Sequence, residues 1–354
     1  MRKLFTLMVM ALLVFSVTPA VFAATVGTGI TPDIETEDFP PAVWMCDHRV
    51  VYDDATEPGR ISKDEQTLVE RINNYAFEGE QVSWTVLVMD KNGVEKVEDV
   101  FGTVGSVQGE GNDIEVNCQE SSKTGIDSSC NARIDEEKLT KWDSNVMRYY
   151  ECTLTVETPE SMYGEYWITV EATDLDGLSG TMDENEFWFL NPVIALSIDG
   201  EMTFEDVRPG TDAYSDTLLV GNDADEGSGV LMDMFISGTD FYDSSSSGAM
   251  CPTTNQLALS AFRYFATNGA YSTGQDGRKD AEGYVGIDYG IGFNNPDPFY
   301  NNNEIIQAQK QGPYYVANVL APGAEMALTF KLSLPEPCNG DFDSGSIYFW
   351  GEAI

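Results

Sequence analysis

The stretch from Tyr163 to Pro192 constrains the fold of this chain most strongly. The apolar side chains in its first part recur at every second position, at Tyr166, Ile168, Val170 and Ala172. A period of two predicts a strand with one buried face. The acidic, glycine-containing turn 174–180 interrupts this strand, and a second strand, 186–190, follows before Pro192. This order is typical of a β-sandwich module that ends where the next module begins.

The N-terminus carries an export signal. Arg2 and Lys3 precede the apolar run 4–17, and the small residues around Ala23 suit a cleavage site. Such a segment is a secretory signal peptide, and it is too short for a stable transmembrane helix. We therefore predict a signal peptide over residues 1–23, no membrane insertion after its cleavage, and an extracellular or cell-surface location.

The cysteines predict a disulfide-bonded protein. The chain has six of them, at Cys46, Cys118, Cys130, Cys152, Cys251 and Cys338. An even set in an exported chain favours disulfides, and the absence of any CxxC pair argues against zinc. Cys251 and Cys338 alone follow Pro192, so we expect them to pair. Three connectivities remain open for the other four, and we favour Cys118–Cys130 with Cys46–Cys152.

The charge balance excludes several classes of partner. The chain has 19 basic and 59 acidic residues, a formal net charge of −40. Such a field repels nucleic acids, anionic membranes and phosphate-rich substrates. Two interpretations of the acidity remain open, a solvated surface suited to saline or acidic surroundings and loops that bind calcium.

The length and the turn signals predict an all-β chain of two tandem β-sandwich domains. About 330 residues remain after signal cleavage, a length that suits two domains. We place an N-terminal arm at 24–42, the first domain at 43–192 and the second at 193–354, with an irregular insertion at about 243–311. The arm begins with the β-prone segment Thr25–Ile30. It is either a disordered terminus or a donor strand for the sheet of a neighbouring subunit.

The clearest strand of the first domain covers 81–89, with Val82, Trp84, Val86 and Val88 on one face. The Asn-Gly pair in 90–93 predicts a tight hairpin with 94–104 as the partner strand. Residues 62–72 fit either a capped helix or a loop.

The second domain shows a series of short strand patterns. They lie at 193–198, 202–207, 215–221, 230–237, 326–334 and 346–350. Between 243 and 311 the regularity fails, with one helical candidate over 255–267. Because a structureless loop of that length is unusual in a compact domain, we expect small strands there.

Several local motifs carry a resemblance to known surface proteins. They are Tyr75-Ala-Phe-Glu-Gly-Glu80, Asp90-Lys-Asn-Gly93, Gly164-Glu-Tyr-Trp-Ile-Thr-Val170, Ala172-Thr-Asp-Leu-Asp-Gly177, Phe204-Glu-Asp-Val-Arg-Pro-Gly210 and Leu218-Leu-Val-Gly-Asn222. The pattern resembles the immunoglobulin-like β-sandwich modules of secreted microbial surface or fibre proteins, especially archaeal ones. The resemblance implies two immunoglobulin-like domains with a structural or adhesive role and no catalytic residues.

The residues give no support to an enzyme. The only histidine, His48, lies two positions from Cys46, and the nucleophile elbow, the HExxH motif, the P-loop and the dinucleotide fingerprint are all absent. The many carboxylates supply pairs suitable for glycoside hydrolysis, but their abundance makes any one pair uninformative. We predict a protein that is not an enzyme.

Calcium is the cofactor that the acidic turns suggest. Carboxylate oxygens that converge in a turn are the ligands this cation prefers. The two candidate sets are Asp174, Asp176, Asp183 and Glu184, and then Asp223 and Asp225. The alternative for both sets is an exposed acidic hairpin without a metal.

The aromatic residues of the insertion suggest a second kind of ligand. Candidate sugar-binding rings are Tyr271, Tyr284, Tyr289 and Tyr300, which lie among asparagines and aspartates. Aromatic rings beside amides are suited to stacking on sugars and to hydrogen bonding. The alternative is a small additional core under long loops.

These observations together predict a secreted structural or assembly protein, such as a surface-layer or fibre subunit. Its partners are expected to be further copies of itself or other surface proteins, which dock through sheet edges and the arm. The alternative is a carbohydrate-binding adhesin whose second domain binds glycans, and a glycosidase is the third hypothesis.

Overall fold

The structure is a computed structural model. It describes residues 29–52, 73–108, 112–131, 139, 141–182, 186–290, 304–311 and 314–354. They fall in two units, Met1–Asp38 and Phe39–Ile354. The predicted signal peptide and the helix-or-loop segment 62–72 lie outside the described residues. No helix in these ranges has the length and apolar content needed to cross a membrane.

The part of the arm that the structure describes has no regular secondary structure. Residues 29–41 form neither helix nor strand, and Ala42 begins the first strand. Ile30 exposes 92% of its surface and Ile34 exposes 77%. The β-prone segment predicted at Thr25–Ile30 lies mostly outside the described residues.

The N-terminal half of the second unit, residues 39–192, contains nine described strands and one short helix. The strands are β1 (Ala42–Tyr52), β2 (Tyr75–Ala76), β3 (Gln81–Met89), β4 (Val97–Gly105), β5 (Ile114–Ser121), β6 (Met147–Thr155), β7 (Gly164–Asp174), β8 (Ser179–Thr181) and β9 (Glu186–Leu190). Helix α1 covers Ser128–Asn131, and a 3-10 turn covers Val94–Lys96. The period-two pattern of the 163–192 stretch therefore forms β7 and β9, as predicted.

These strands form two sheets that share one strand. One sheet has the order β1, β3, β6, β5, and the other has the order β5, β4, β7, β9, β2, with β8 beside β7. All pairs are antiparallel except β2 with β9. The apolar faces of the two sheets meet, so this half is the all-β sandwich that the alternation predicts.

The core of this half lies between β3 and the β4–β7 pair. Trp84 exposes 2% of its surface, and Val86, Val170 and Ala172 are fully buried beside it. The opposite face of β3 is also covered. Leu87 packs there in a smaller cluster with the residues around α1. Because β3 is buried on both faces, it is a central element of the sandwich.

The connection after β3 differs from the predicted hairpin. β3 pairs with β1 and β6, whereas β4 pairs with β5 and β7, so 90–93 carries the chain from one sheet to the other. The backbone N–H groups of Asp90 and Val94 donate to the carbonyl oxygens of Val146 and Asn145 at 2.9 and 2.8 Å. These bonds join residues 90–94 to the loop before β6 instead of joining β3 to β4. The predicted pairing of 81–89 with 94–104 is therefore wrong.

The C-terminal half, residues 193–354, contains eleven described strands. They are β10 (Leu196–Asp199), β11 (Asp212–Asn222), β12 (Met232–Gly238), β13 (Phe262–Asn268), β14 (Tyr271–Ser272), β15 (Val285–Gly286), β16 (Lys310–Gln311), β17 (Tyr314–Tyr315), β18 (Val319–Leu320), β19 (Glu325–Ser333) and β20 (Ile347–Ala353). The 3-10 turns are Leu259–Ala261, Thr273–Gln275 and Val316–Asn318.

Two sheets face each other in this half too. One has the order β10, β11, β19, β13, β14, with β15 beside β13, and the other has the order β18, β12, β20. Met232, Met234 and Ile236 of β12 are buried in the same cluster as Leu328 and Phe330 of β19. Short strands lie within 243–311, as expected, and β13 pairs along six residues with β19.

Two sequence expectations for this half are wrong. The helical candidate at 255–267 is a 3-10 turn followed by β13, because Phe262, Tyr264 and Ala266 alternate into the core with a period of two. The strand expected at 202–207 is irregular chain whose apolar side chains pack onto the core without joining a sheet.

The two halves share buried contacts. The side chains of Tyr75 and Phe189 belong to the core cluster of the C-terminal half. The Tyr75 hydroxyl donates a buried hydrogen bond of 2.5 Å to the carbonyl oxygen of Ile354. The Asn73 amide donates to the carbonyl oxygen of Gly229 at 2.7 Å. These contacts join the two halves through apolar and polar groups.

Candidate binding groove

The most distinctive surface feature arises where β5 changes partners. Its first half, Ile114–Asn117, pairs with β4, and its second half, Cys118–Ser121, pairs with β6. β6 continues to Thr155 beside β3 on its other side. The end of β6 therefore separates from β5, and in the described residues no strand fills the gap between them. We call this gap the strand groove.

The strand groove is large enough for an extended peptide. Its volume is about 660 Å³. It is lined by Ile114, Glu115, Val116, Asn117, Gln119, Glu120, Glu151, Thr153, Leu154, Thr155, Glu157 and Met162. The backbones of two diverging strands form its sides, and side chains of both strands line it. A strand edge without a neighbour presents N–H and C=O groups to an added strand.

The walls of the strand groove are acidic. Glu120 forms an ion pair of 3.1 Å with Arg148. The carboxylates of Glu151 and Glu157 accept hydrogen bonds from serine hydroxyls at 3.0 and 2.9 Å. Within the described residues, no lysine or arginine forms an ion pair with these two carboxylates or with Glu115. The negative charge of these side chains gives the groove an electrostatic preference for cationic groups over anions.

A disulfide holds β5 at the point where it leaves β6. Cys118 lies directly opposite Cys152 in the β5–β6 pair, and the two are bonded with a Cα–Cα distance of 4.1 Å. Cys46 of β1 is bonded to Cys130 of α1. The expected pairs Cys118–Cys130 and Cys46–Cys152 are therefore wrong, because the strand register and the docking of α1 decide which thiols meet.

The third disulfide agrees with the sequence expectation. Cys251 is bonded to Cys338, and none of the six cysteines is free. This bond ties the loop after β12 to the loop after β19.

Two residues of the first predicted calcium set, Asp174 and Asp176, lie in one turn. Asp174 is buried, and its Oδ1 atom accepts the backbone N–H groups of Asp176 and Leu178 at 3.0 and 2.7 Å. The Asp176 carboxylate forms a 2.7 Å ion pair with Lys96. Asp183 and Glu184 lie outside the described residues.

The second predicted calcium set lies at the junction of the two halves. Asp225 Oδ2 accepts the Val193 N–H at 2.8 Å and the Tyr163 hydroxyl at 3.0 Å, and this bond raises the pKa of Tyr163. Asp223 is exposed. In the ranges that the structure describes, no three His, Cys, Asp or Glu side chains converge as metal ligands. Calcium binding remains a prediction.

The predicted sugar-binding tyrosines have separate surroundings. Tyr271 is half-buried against the core of the C-terminal half. Tyr284 lies 5.7 Å from Phe265 between ring centroids. Tyr289 is 54% exposed and donates a 2.6 Å hydrogen bond from its hydroxyl to Asp240, which raises the pKa of Tyr289. Tyr300 lies outside the described residues.

One aromatic cluster was not predicted from the sequence. The ring of Tyr214, which is 53% exposed, lies 5.9 Å from that of Tyr284. Lys331 lies 6.0 and 5.8 Å from the two ring centroids, and its ammonium pairs with Glu282 at 2.6 Å and Asp212 at 3.2 Å. These carboxylates raise the pKa of Lys331. The sequence carries no signal for this cluster, because strand pairing brings its members together.

Comparisons with known proteins give weak similarities only. No protein-family model matches the chain, and no curated protein matches it. The chain is similar to a secreted serine protease, VesC from Vibrio cholerae, with 8% identity, 78% of this chain and 48% of that chain covered, and a TM-score of 0.18. The chain thus spans about half of that protein.

Two bacterial adhesins are also similar. The sialic-acid-binding region of a Streptococcus sanguinis adhesin shares 11% identity over 85% of this chain and 70% of that chain, with a TM-score of 0.21. The collagen adhesin of S. aureus shares 12% identity over 87% of both chains, with a TM-score of 0.16. Because these TM-scores are far below 0.5, the similarities carry no information about the function of this chain. The resemblance to archaeal surface proteins stays a prediction.

Proposed function

We propose that this protein is a non-enzymatic structural or assembly protein of the cell surface, which associates by adding a strand at the strand groove. The observation that supports this most directly is the divergence of β6 from β5, which leaves two strand edges facing one gap. An extended segment in that gap gains main-chain hydrogen bonds from the edges and specificity from alternate side chains. The three disulfides suit an extracellular location.

The donor segment in this proposal is the N-terminal arm of another copy. In an extended Thr25–Ile30, Val26, Thr28 and Ile30 share one face. The apolar lining of the groove, at Ile114 and Leu154, suits such a face. Ile30 is almost fully exposed in the described part of the arm, so burying it in a partner gains free energy.

Cations support this association. The full sequence carries a formal net charge of −40, and both the groove and the later part of the arm are acidic. Two such surfaces repel each other until salt screens them or divalent cations lie between them. We propose calcium for this role, because it binds several carboxylate oxygens in flexible geometry.

The test compares the unaltered chain from residue 24 with three variants by light scattering and electron microscopy, with and without calcium. We expect the unaltered chain to assemble, and we expect deletion of 24–38 or Thr153→Trp to leave monomers. Thr153 is exposed and lines the groove, so the bulky ring blocks it without disturbing the core. Thr217→Trp is the matched control, because Thr217 is an exposed strand residue outside the groove.

Two outcomes would contradict the proposal. Assembly of the deletion variant would exclude the arm as the donor. Monomers of the unaltered chain at every calcium and salt concentration would exclude self-association altogether.

Glycan binding is the second candidate, and the exposed ring of Tyr214 beside Tyr284 favours it. Paired rings next to Glu282 and Asp212 offer stacking and hydrogen-bond acceptors to a sugar. We expect Tyr214→Ala to remove any glycan-array signal and Tyr242→Ala, at another exposed tyrosine, to retain it. No signal from the unaltered chain would remove this candidate.

A further inference from the structure

A second cavity lies in the C-terminal half, away from the strand groove. Its volume is about 630 Å³, within the range of small-molecule sites. The irregular segment 202–209 forms one wall, and the chain around Cys338 forms another. The ends of β13 and β19 form the floor. Residues 202–207 of the first wall are the segment in which the sequence pattern predicted a strand.

Four phenylalanine rings line this cavity. Phe241 and Phe262 are buried, with their ring centroids 4.8 Å apart. Phe204 contacts Phe262 edge to face at 5.9 Å, and Phe204 and Phe342 are both partly exposed. The cavity therefore offers both buried and accessible aromatic surface to a ligand.

Three carboxylates stand among the lining residues, from Glu205, Asp206 and Asp341. Within the described chain, none of them forms an ion pair with a lysine or arginine. The nearest base in sequence, Arg208, does not line the cavity. Asp206 has a φ of 51°, which is uncommon for a residue other than glycine. The lining combines aromatic faces with unneutralised negative charge.

We propose that this cavity binds an organic cation with an apolar body, such as an aryl or alkyl quaternary ammonium. The faces of aromatic rings attract cations, and a quaternary ammonium loses little hydration when it leaves water. The carboxylates add Coulombic attraction, while the apolar body fills the space between the rings. A bare metal ion would have to lose strongly bound water to reach the phenyl rings, and anions are repelled by the field of the whole chain. This site is independent of the proposed strand groove.

The test is an NMR titration of the mature chain with two probes of equal shape. They are (3-hydroxyphenyl)trimethylammonium, which is cationic, and 3-tert-butylphenol, which is neutral. We expect the cation to bind at least about tenfold more tightly, from cation–π and carboxylate attraction together. Phe342→Leu should weaken both probes, because it removes a ring that both contact.

Charge-neutralising variants identify the site. Glu205→Gln and Asp341→Asn should each weaken the cation about threefold to tenfold, and they should leave the phenol unchanged. Asp216→Asn is the matched control, since it removes one exposed charge outside the cavity. Equal affinities for the two probes would overturn the proposal. So would the absence of cation binding, or an effect of Asp216→Asn as large as that of Asp341→Asn.

Discussion

Removing the disulfide between Cys118 and Cys152 tests how the strand groove is held open. The bond joins β5 to β6 at the last pair before the strands diverge. We consider the double variant Cys118→Ala/Cys152→Ala, in which this constraint is lost while the strand pairing on either side remains possible. Cys46→Ala/Cys130→Ala is the matched control, because that disulfide lies outside the groove lining.

The loss of stability expected on removing each disulfide depends on the length of the loop that the disulfide closes. A sequence separation of 34 residues gives a loss of about 4 kcal/mol in the chain-entropy model. The separation of 84 residues in the control gives a similar loss, about 4.5 kcal/mol. The two variants should thus be destabilised nearly equally, and a difference in binding between them reports on the groove.

Two assays on the chain 39–354 separate these effects. Urea unfolding gives the free energy of each variant, and the fluorescence anisotropy of a labelled peptide of residues 24–38 gives its affinity. We expect the Cys118/Cys152 variant to bind the peptide at least about tenfold more weakly, because the groove is no longer preorganised. The control should bind it as the unaltered protein does. Equal affinities of all three proteins would refute this account of the groove.

Buried polar groups and the net charge of the chain also affect its stability in ways that can be measured. Burial raises the pKa of Asp233 to about 7, above its value near 4 in an unfolded chain. The contribution of protonated Asp233 to the free energy of unfolding is therefore complete below about pH 4 and is lost as the pH rises through 7. Asp233→Asn should remove this part of the pH dependence of stability in urea titrations. Tyr75→Phe removes the bond to Ile354 and should lower the free energy of unfolding by about 1–2 kcal/mol in the same assay; an unchanged value would contradict it. The melting temperature should rise with sodium chloride, because salt screens the net charge of −40; calorimetry without such a rise would count against the self-repulsion argument.

Local patterns predict the strands well where one face is buried. Ile168, Val170 and Ala172 alternate in the sequence and are buried together in β7. The pattern is misread at 255–267, which looks like a helical candidate, although Phe262, Tyr264 and Ala266 alternate into the core with the period of two of a strand. Residues 202–207 alternate like a strand but cover the core as irregular chain.

A sequence pattern does not show which strands pair with each other or which cysteines form disulfides. The turn at Asp90 has a hairpin composition, yet the strands on either side belong to different sheets. The pairing of Cys118 with Cys152 depends on the register of β5 and β6. The strand groove exists because β5 changes its partner strand after Asn117, and this change depends on the tertiary structure. It could therefore be found only in the structure.

Hydrogen exchange of the assembled protein tests the central claim most directly. The amides of 114–117 and 153–155 border the strand groove, and a docked strand bonds to those facing it. We predict that slowed exchange at these two segments accompanies assembly of the chain from residue 24 and is absent in the variant lacking 24–38. Assembly with unchanged exchange at both segments would contradict the account.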